Sequence, residues 1–282
     1  DKVWNDPNLV NAYLANLYTL FGNWDAGADQ NSDQLIGISF PVNHVTIVNG
    51  NYKSWNYTQI RKINTAIEKV SNSATLPQTV KDQVLGQALF MRAFMYFNMV
   101  KYHGGIPYIT KAQDLDSDDL NVARNSTKES FELIVKDLDQ AISLLPTTVA
   151  KGSADYGRID GNFATAFKGK VLLYKASPQF NPSNPYGNGY WAEAHAANKT
   201  AYTQLLAEGY ALTPDYANIT LIEKGAEVVF AVINAYPNKV TNWDNGVRPG
   251  SESRGPAYAV PSWEMVKQFP MKDGKLYSDP SS

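Results

Sequence analysis

Hydrophobic residues recur along this chain at helical rather than strand spacing. Over residues 6–21, Val10, Tyr13, Leu14, Leu17, Tyr18 and Phe21 fall at i, i+3, i+4 intervals and line one helix face. Asp6 can accept the first unpaired N–H groups, and Pro7 suits the first helical position, where its missing N–H costs nothing. Residues 52–70 return to this spacing through Ile60, Ile63, Ile67 and Val70. Residues 77–103 are apolar nearly all round between Gln87 and Tyr102, which predicts a helix buried on most sides. Gly104 and Gly105 stop it, and Pro107 marks the exit. Over 126–145, Ser126 and Glu129 fit a capping box, while Phe131, Ile134, Val135, Leu138, Ile142 and Leu145 share a face. Helices are also predicted over 161–177 and 190–208, separated by a loop rich in Asn, Pro and Gly. The stretch 227–233 is short and β-branched, so it reads as a strand. A last short helix is expected over 262–269, before Pro270.

Long polar segments at 22–51 and 234–260 interrupt this pattern, and loops of that length are commonly functional. The elements add up to a mainly α chain of helix pairs, mostly antiparallel, with minor β. Ala166, Gly169, Tyr174, Trp191, Ala194, Ala201 and Tyr202 put small and aromatic residues at spacings reminiscent of tetratricopeptide (TPR) repeats. The 177–189 loop is longer than a standard repeat turn, so the spacing alone leaves a TPR-like arrangement open.

Composition narrows the chemistry. Among 282 residues, Lys+Arg 25 against Asp+Glu 27 gives a net charge of −2, which carries no electrostatic footprint for nucleic acid. There is no cysteine, so disulfides, thiolate metal sites and cysteine nucleophiles are excluded. Motifs for acyl transfer, nucleotide binding or zinc proteolysis are absent. Of three histidines, His103 reads most simply as a charge at a helix C-terminus, and His195 as a surface residue. His44 alone sits in a long loop, where it can meet a ligand. Asp29, Asn31 and Asp33 resemble the start of a calcium loop. Gln34 and Phe40 stand where such a loop needs glycine and glutamate, so no metal is expected. Asp114 to Asp119 reads as a solvated acidic linker before the capped helix.

The tryptophans are more informative by location. Trp24, Trp55 and Trp243 fall in or beside loops, close to Asn, Asp or Arg. The flat face of a sugar is C–H and packs on the negative face of an aromatic ring, while its hydroxyls need polar partners. Such loops suit carbohydrate. Trp191, at helix spacing with Ala194 and Tyr202, reads as core.

Several segments then align with one family. Leu85 to Pro107 carries Ala88, Phe90, Arg92, Ala93, Tyr96, Phe97, Gly104, Gly105 and Pro107 in the order found in SusD/RagB-type nutrient-binding lipoproteins of the Bacteroidetes. Ala164 to Pro182, ending Leu-Leu-Tyr-Lys-Ala-Ser-Pro-Gln-Phe-Asn-Pro, resembles a second family stretch. Ile60 to Asn64, Gly209 to Leu212, Glu227 to Phe230 and Phe269 to Gly274 match shorter ones. The departures are Gly86 and Lys170.

The resemblance implies a TPR-like α-α superhelix over residues 1–282, read as one helical domain whose long loops build a glycan site. It implies a non-enzymatic protein without cofactor, held at the cell outer membrane by an N-terminal lipid anchor upstream of Asp1. It also implies a SusC-like TonB-dependent transporter as partner and a further C-terminal portion beyond Ser282. On this reading Trp24, Asp33, Asn43, His44 and Trp55 come from the first loop and the helix start after it. Trp243, Asp244 and Arg248 come from the loop after the predicted strand. The tryptophans would stack on an oligosaccharide and the others would hydrogen-bond it. Two other readings remain open: a peptide-binding relative on the same scaffold, and a TPR-like scaffold whose ligand is another protein.

Overall fold

The computed structural model describes residues 2–22, 35–36, 55–114, 116, 118, 120–219, 221–234, 237, 240 and 260–281. The chain divides into two compact units, one of residues 1–20 and 52–231, the other of 21–51 and 232–282.

The larger unit is helical. Its α-helices are α1 (Pro7–Leu17), α2 (Tyr57–Asn72), α3 (Gln78–His103), α4 (Thr127–Leu144), α5 (Gly161–Ala176) and α6 (Tyr190–Ala207). Each packs on the next in chain order, most extensively α3 on α4 and α5 on α6. This nearest-neighbour stacking is what helix-pair arrays do with faces that cannot be buried alone. The chain is thus mainly α, as its periodicity predicts.

Local chemistry sets the boundaries. The Asp6 carboxylate accepts from the N–H groups of Asn8 and Leu9, opening α1 at Pro7. Its last predicted turn tightens into a 3-10 segment, Tyr18–Phe21. The Ser126 hydroxyl accepts from Glu129 N–H while the Glu129 carboxylate accepts from Ser126 N–H, the reciprocal cap expected for α4. α2 begins at Tyr57 rather than at 52, because the apolar repeat starts only at Ile60.

α3 forms the centre of the core. Ala88, Phe90, Met91, Ala93, Tyr96, Phe97 and Val100 are all buried, and between them they meet α2 and α4 together with parts of α1 and α5. Gly86, a departure from the family pattern, lies under Leu145; a Cβ there would stand 2.8 Å from Leu145 Cγ. Between α5 and α6, buried Ala194 packs with Leu172 and Ala176, and Trp191 closes over them. The Trp191 indole N–H donates to Pro185 O at 2.9 Å, so this ring is packing, as its helical spacing indicates. His195 is exposed, also as expected.

Two buried polar residues tie the stack together. Arg92 of α3 and Asp137 of α4 form a two-pronged pair, Nε–Oδ2 and Nη2–Oδ1, both 2.7 Å. Arg92 Nη1 also donates to Asn64 Oδ1 of α2 and to Thr110 O, at 3.1 and 3.2 Å.

One expectation fails. Residues 227–233 form no strand. β-branched residues favour a strand only where a neighbour completes the hydrogen-bond ladder. Here Phe230 stacks on Phe163 of α5, with centroids 4.3 Å apart and planes 3° apart, and Glu227 receives the Thr213 N–H through its side chain. The acidic linker is also less free than its composition suggests. Asp118 pairs with Lys111 and accepts from Asp114 N–H.

In the smaller unit, β1 (Leu35–Ile36) pairs antiparallel with β2 (Val260–Pro261), inside segments that read as irregular. The expected last helix is one turn, α7 (Trp263–Val266), capped by the Ser262 hydroxyl. Trp263 meets Tyr277 edge-on at 5.4 Å, and the intervening Phe269 to Gly274 motif turns at Gly274, φ 82°.

Candidate functional site

The exit from α3 builds a cluster of rings and cations. α3 ends at His103 because Gly104 adopts φ 66°, ψ −129°, a conformation nearly reserved for glycine. Gly105 then runs so close to the 124–126 segment that an added Cβ would stand 2.0 Å from Asn125 O. The two segments clasp each other: Asn125 N–H donates to Ile106 O at 3.0 Å, and Tyr108 N–H donates to Asn125 Oδ1 at 3.1 Å. Arg124 is placed by this clasp. Its Nε donates to Gly105 O at 2.6 Å and its Nη2 to His103 O, so the guanidinium satisfies carbonyls left open at the helix end.

Trp55, just before α2, lies flat on His103 with centroids 4.0 Å apart and planes 12° apart. Tyr57 stands parallel to Trp55 at 6.2 Å and 14°, and the Arg124 guanidinium carbon is 6.0 Å from the indole centroid. Tyr57 is anchored in turn, its hydroxyl donating to Pro107 O at 2.8 Å. Trp55 nevertheless keeps 43% of its surface exposed. An exposed indole held in place by a second ring and a nearby cation has already lost the freedom that stacking a ligand would otherwise remove.

The electrostatics keep the platform neutral at its centre. Desolvation, reinforced by the Arg124 charge, lowers the His103 pKa below its ordinary 6.5. The simple reading of His103 as a helix-end charge is therefore replaced: Arg124 carries the charge and His103 carries the stack. Burial pushes the Tyr57 phenol up to about 12, with Arg124 opposing, so it stays a donor. A proton NMR titration is expected to find His103 midway below pH 6.5, and Arg124→Gln should raise that midpoint. The unfolded chain then binds more protons than the native one as pH falls toward the native midpoint. The stabilisation from neutral His103 is thus complete above the ordinary value and lost as pH falls through the lowered one.

Of the residues expected from sequence to form a ligand site, Trp55 is placed in this cluster. Trp24, Asp33, Asn43, His44, Trp243, Asp244 and Arg248 lie outside the described residues. So do Asp29 and Asn31 of the calcium-like stretch; among the described residues, no group of three or more metal-binding side chains occurs. Tyr57, His103 and Arg124 were not anticipated as Trp55 partners. In the sequence, Gly104 and Gly105 mark only the helix stop. Among the described residues, no helix is long and apolar enough to cross a membrane.

Comparison with known proteins extends the geometry. A SusD-like family model, described as starch-binding and associating with the outer membrane, matches residues 8–173. A SusD-like protein of Formosa agariphila is 34% identical over 125 residues, 44% of this chain and 23% of its own length. Another from the same organism is 34% identical over 88 residues, 30% of this chain and 17% of its own length. Among solved structures, a SusD-like protein of Bacteroides fragilis superposes with TM-score 0.76 at 23% identity, over 98% of this chain and 55% of its own. A SusD-like carbohydrate-binding protein of the same species gives 0.73 at 17% identity, over 99% and 56%. The chain thus spans little more than half the length of these structural relatives, and at these identities the likeness is one of fold.

Proposed function

The chain belongs to the SusD-like family, and on that premise we propose that it is a glycan-binding protein that captures oligosaccharides at the outer membrane and delivers them to a SusC-like TonB-dependent transporter. The observation that carries the reading is Trp55: an exposed indole fixed on His103 beside the Arg124 guanidinium. Its ring offers a face to the C–H side of a sugar, and polar groups nearby can meet the hydroxyls. Arg124 would add a preference for glycans bearing a carboxylate. The family description, starch-binding and associating with the outer membrane, supports both ligand class and location. A lipid anchor at the cell surface and a contribution from Trp24, Asp33, Asn43, His44, Trp243, Asp244 and Arg248 complete the proposal. No chemical step on the glycan is part of it.

Calorimetry of the full-length protein against a panel of neutral and acidic oligosaccharides tests this. Trp55→Ala is expected to weaken binding at least tenfold, about 1.4 kcal/mol, and Trp243→Ala similarly. Unchanged affinity in both variants would remove the tryptophans from the site. A panel with no binder would remove the carbohydrate reading, and tight peptide binding in its place would identify a peptide-binding relative. Co-purification with a SusC-like transporter tests the delivery step.

A further inference from the structure

Far from Trp55, the N-terminal half of α3 borders a second concavity. Gln87 and His103 are sixteen residues apart on one helix, roughly 24 Å at 1.5 Å per residue, so the two places cannot share one sugar ring. The cavity has a volume of about 260 Å³ and is walled by Asn11 of α1, Gln83 and Gln87 of α3, and Asp155, Arg158 and Ile159 from the α4–α5 connection.

Its floor is fixed by hydrogen bonds. The Tyr18 hydroxyl donates to Gln87 Oε1 at 2.5 Å and accepts the Ile159 N–H at 2.8 Å. Gln87 is 6% exposed and donates through Nε2 to Gln83 O at 3.0 Å. The connection itself is pinned at both ends. Gly161 N–H donates to Pro146 O at 2.8 Å, and Val149 N–H donates to the buried Asp160 Oδ2 at 3.0 Å. The walls therefore stand ready before a ligand arrives.

The lining is rich in both donors and acceptors but balanced in charge. Arg158 donates through Nε to Asp155 Oδ1 at 3.2 Å and also hydrogen-bonds the Tyr18 side chain, so only the rest of its guanidinium is left for a ligand. Asn11 lines the cavity and donates through Nδ2 to Pro7 O at 2.9 Å, which leaves its Oδ1 as an acceptor. Gln83 adds a carboxamide at the exposed rim. An anion here would face Asp155, and a cation would face Arg158. A neutral polyol meets neither conflict and can use Asn11 Oδ1, the Gln83 carboxamide and the remaining Arg158 N–H groups. A volume of about 260 Å³ has room for several waters or for one small polar ring.

We propose that this cavity is a second carbohydrate site, taking a single neutral pyranose unit, and that it works independently of the Trp55 platform. Saturation-transfer NMR on the full chain, with methyl glucoside, methyl galactoside, methyl mannoside and glucuronate as probes, tests it. At least one neutral glycoside should give transfer that persists in Trp55→Ala and weakens at least tenfold in Arg158→Met. Gln83→Ala, a change on the exposed rim, should weaken it several-fold and serves if Arg158→Met lowers the melting temperature. Three results overturn the proposal: no transfer from any neutral glycoside to Trp55→Ala, affinity unchanged in Arg158→Met and Gln83→Ala, or glucuronate bound more tightly than every neutral probe. Loss of binding in Trp55→Ala alone would sink this site while leaving the platform reading intact.

Discussion

Replacing Arg92 with alanine is expected to cost the fold about 3–5 kcal/mol, because it strands a buried charge. Arg92 is 6% exposed and Asp137 4%. In the native protein the Asp137 carboxylate receives both Arg92 bonds and a third, from the Tyr108 hydroxyl to Oδ2 at 2.7 Å. Burial and the adjacent carboxylate keep that phenol protonated, well above its ordinary value, so it remains a donor. Without the guanidinium, Asp137 keeps one partner in a site that admits little water. Asn64 Oδ1 and Thr110 O lose theirs as well. Because the network joins α2, α3, α4 and the 108–111 segment, unfolding should stay cooperative while its midpoint falls. Urea denaturation followed by circular dichroism reads this directly. The double variant Arg92→Met with Asp137→Leu should recover part of the loss, since it removes both charges rather than one. A single variant within 1 kcal/mol of wild type would show that the pair is not buried in solution.

Gly105→Ala is the second large effect expected, at about 3 kcal/mol, the upper range for overpacking. The intruding methyl would meet backbone, Asn125 O at 2.0 Å and Ser126 C at 3.0 Å, rather than the end of a side chain that could turn aside. Relief requires moving the 124–126 segment. That displaces Arg124 from Gly105 O, breaks the Asn125–Ile106 bond, and disturbs the Ser126 cap at the start of α4. The variant should therefore lose stability and glycan affinity together. Trp55→Ala, by contrast, should lose affinity while leaving the melting temperature within a few degrees, since the ring is well exposed. Thermal melts alongside calorimetry separate the two. A Gly105→Ala protein as stable as wild type would show that the clasp between residues 105 and 125 opens in solution.

These expectations rest on contacts of different legibility. Near-neighbour chemistry was readable from the chain: Asp6 before Pro7, Ser126 with Glu129, and the all-round apolar run of α3 each act within a few residues of themselves. The run around Arg92 also carried the family resemblance. Even so, an arginine in the middle of an apolar helix does not say which carboxylate it meets. Asp137 is forty-five positions away, and many acidic residues are equally eligible until the helices stack. The strand expected over 227–233 failed for the same kind of reason. Its β-branched residues state a preference, but a ladder needs a partner, and Phe230 finds the Phe163 ring instead.

The candidate sites divide along the same line. Composition and loop position single out Trp55 as a candidate ring, because that reading depends only on which residues lie beside it in the chain. That His103 would be its stacking partner, that Arg124 would cap α3 beside it, and that the Tyr18 hydroxyl would tie together Gln87 and Ile159 in the wall of a second cavity are decisions of the tertiary structure. Each joins residues far apart in sequence through distances of a few ångströms. Side-chain spacing encodes helices because the helix is a local periodic object. It does not encode which exposed faces meet across elements, because that is settled only when the whole stack buries its apolar surface at once.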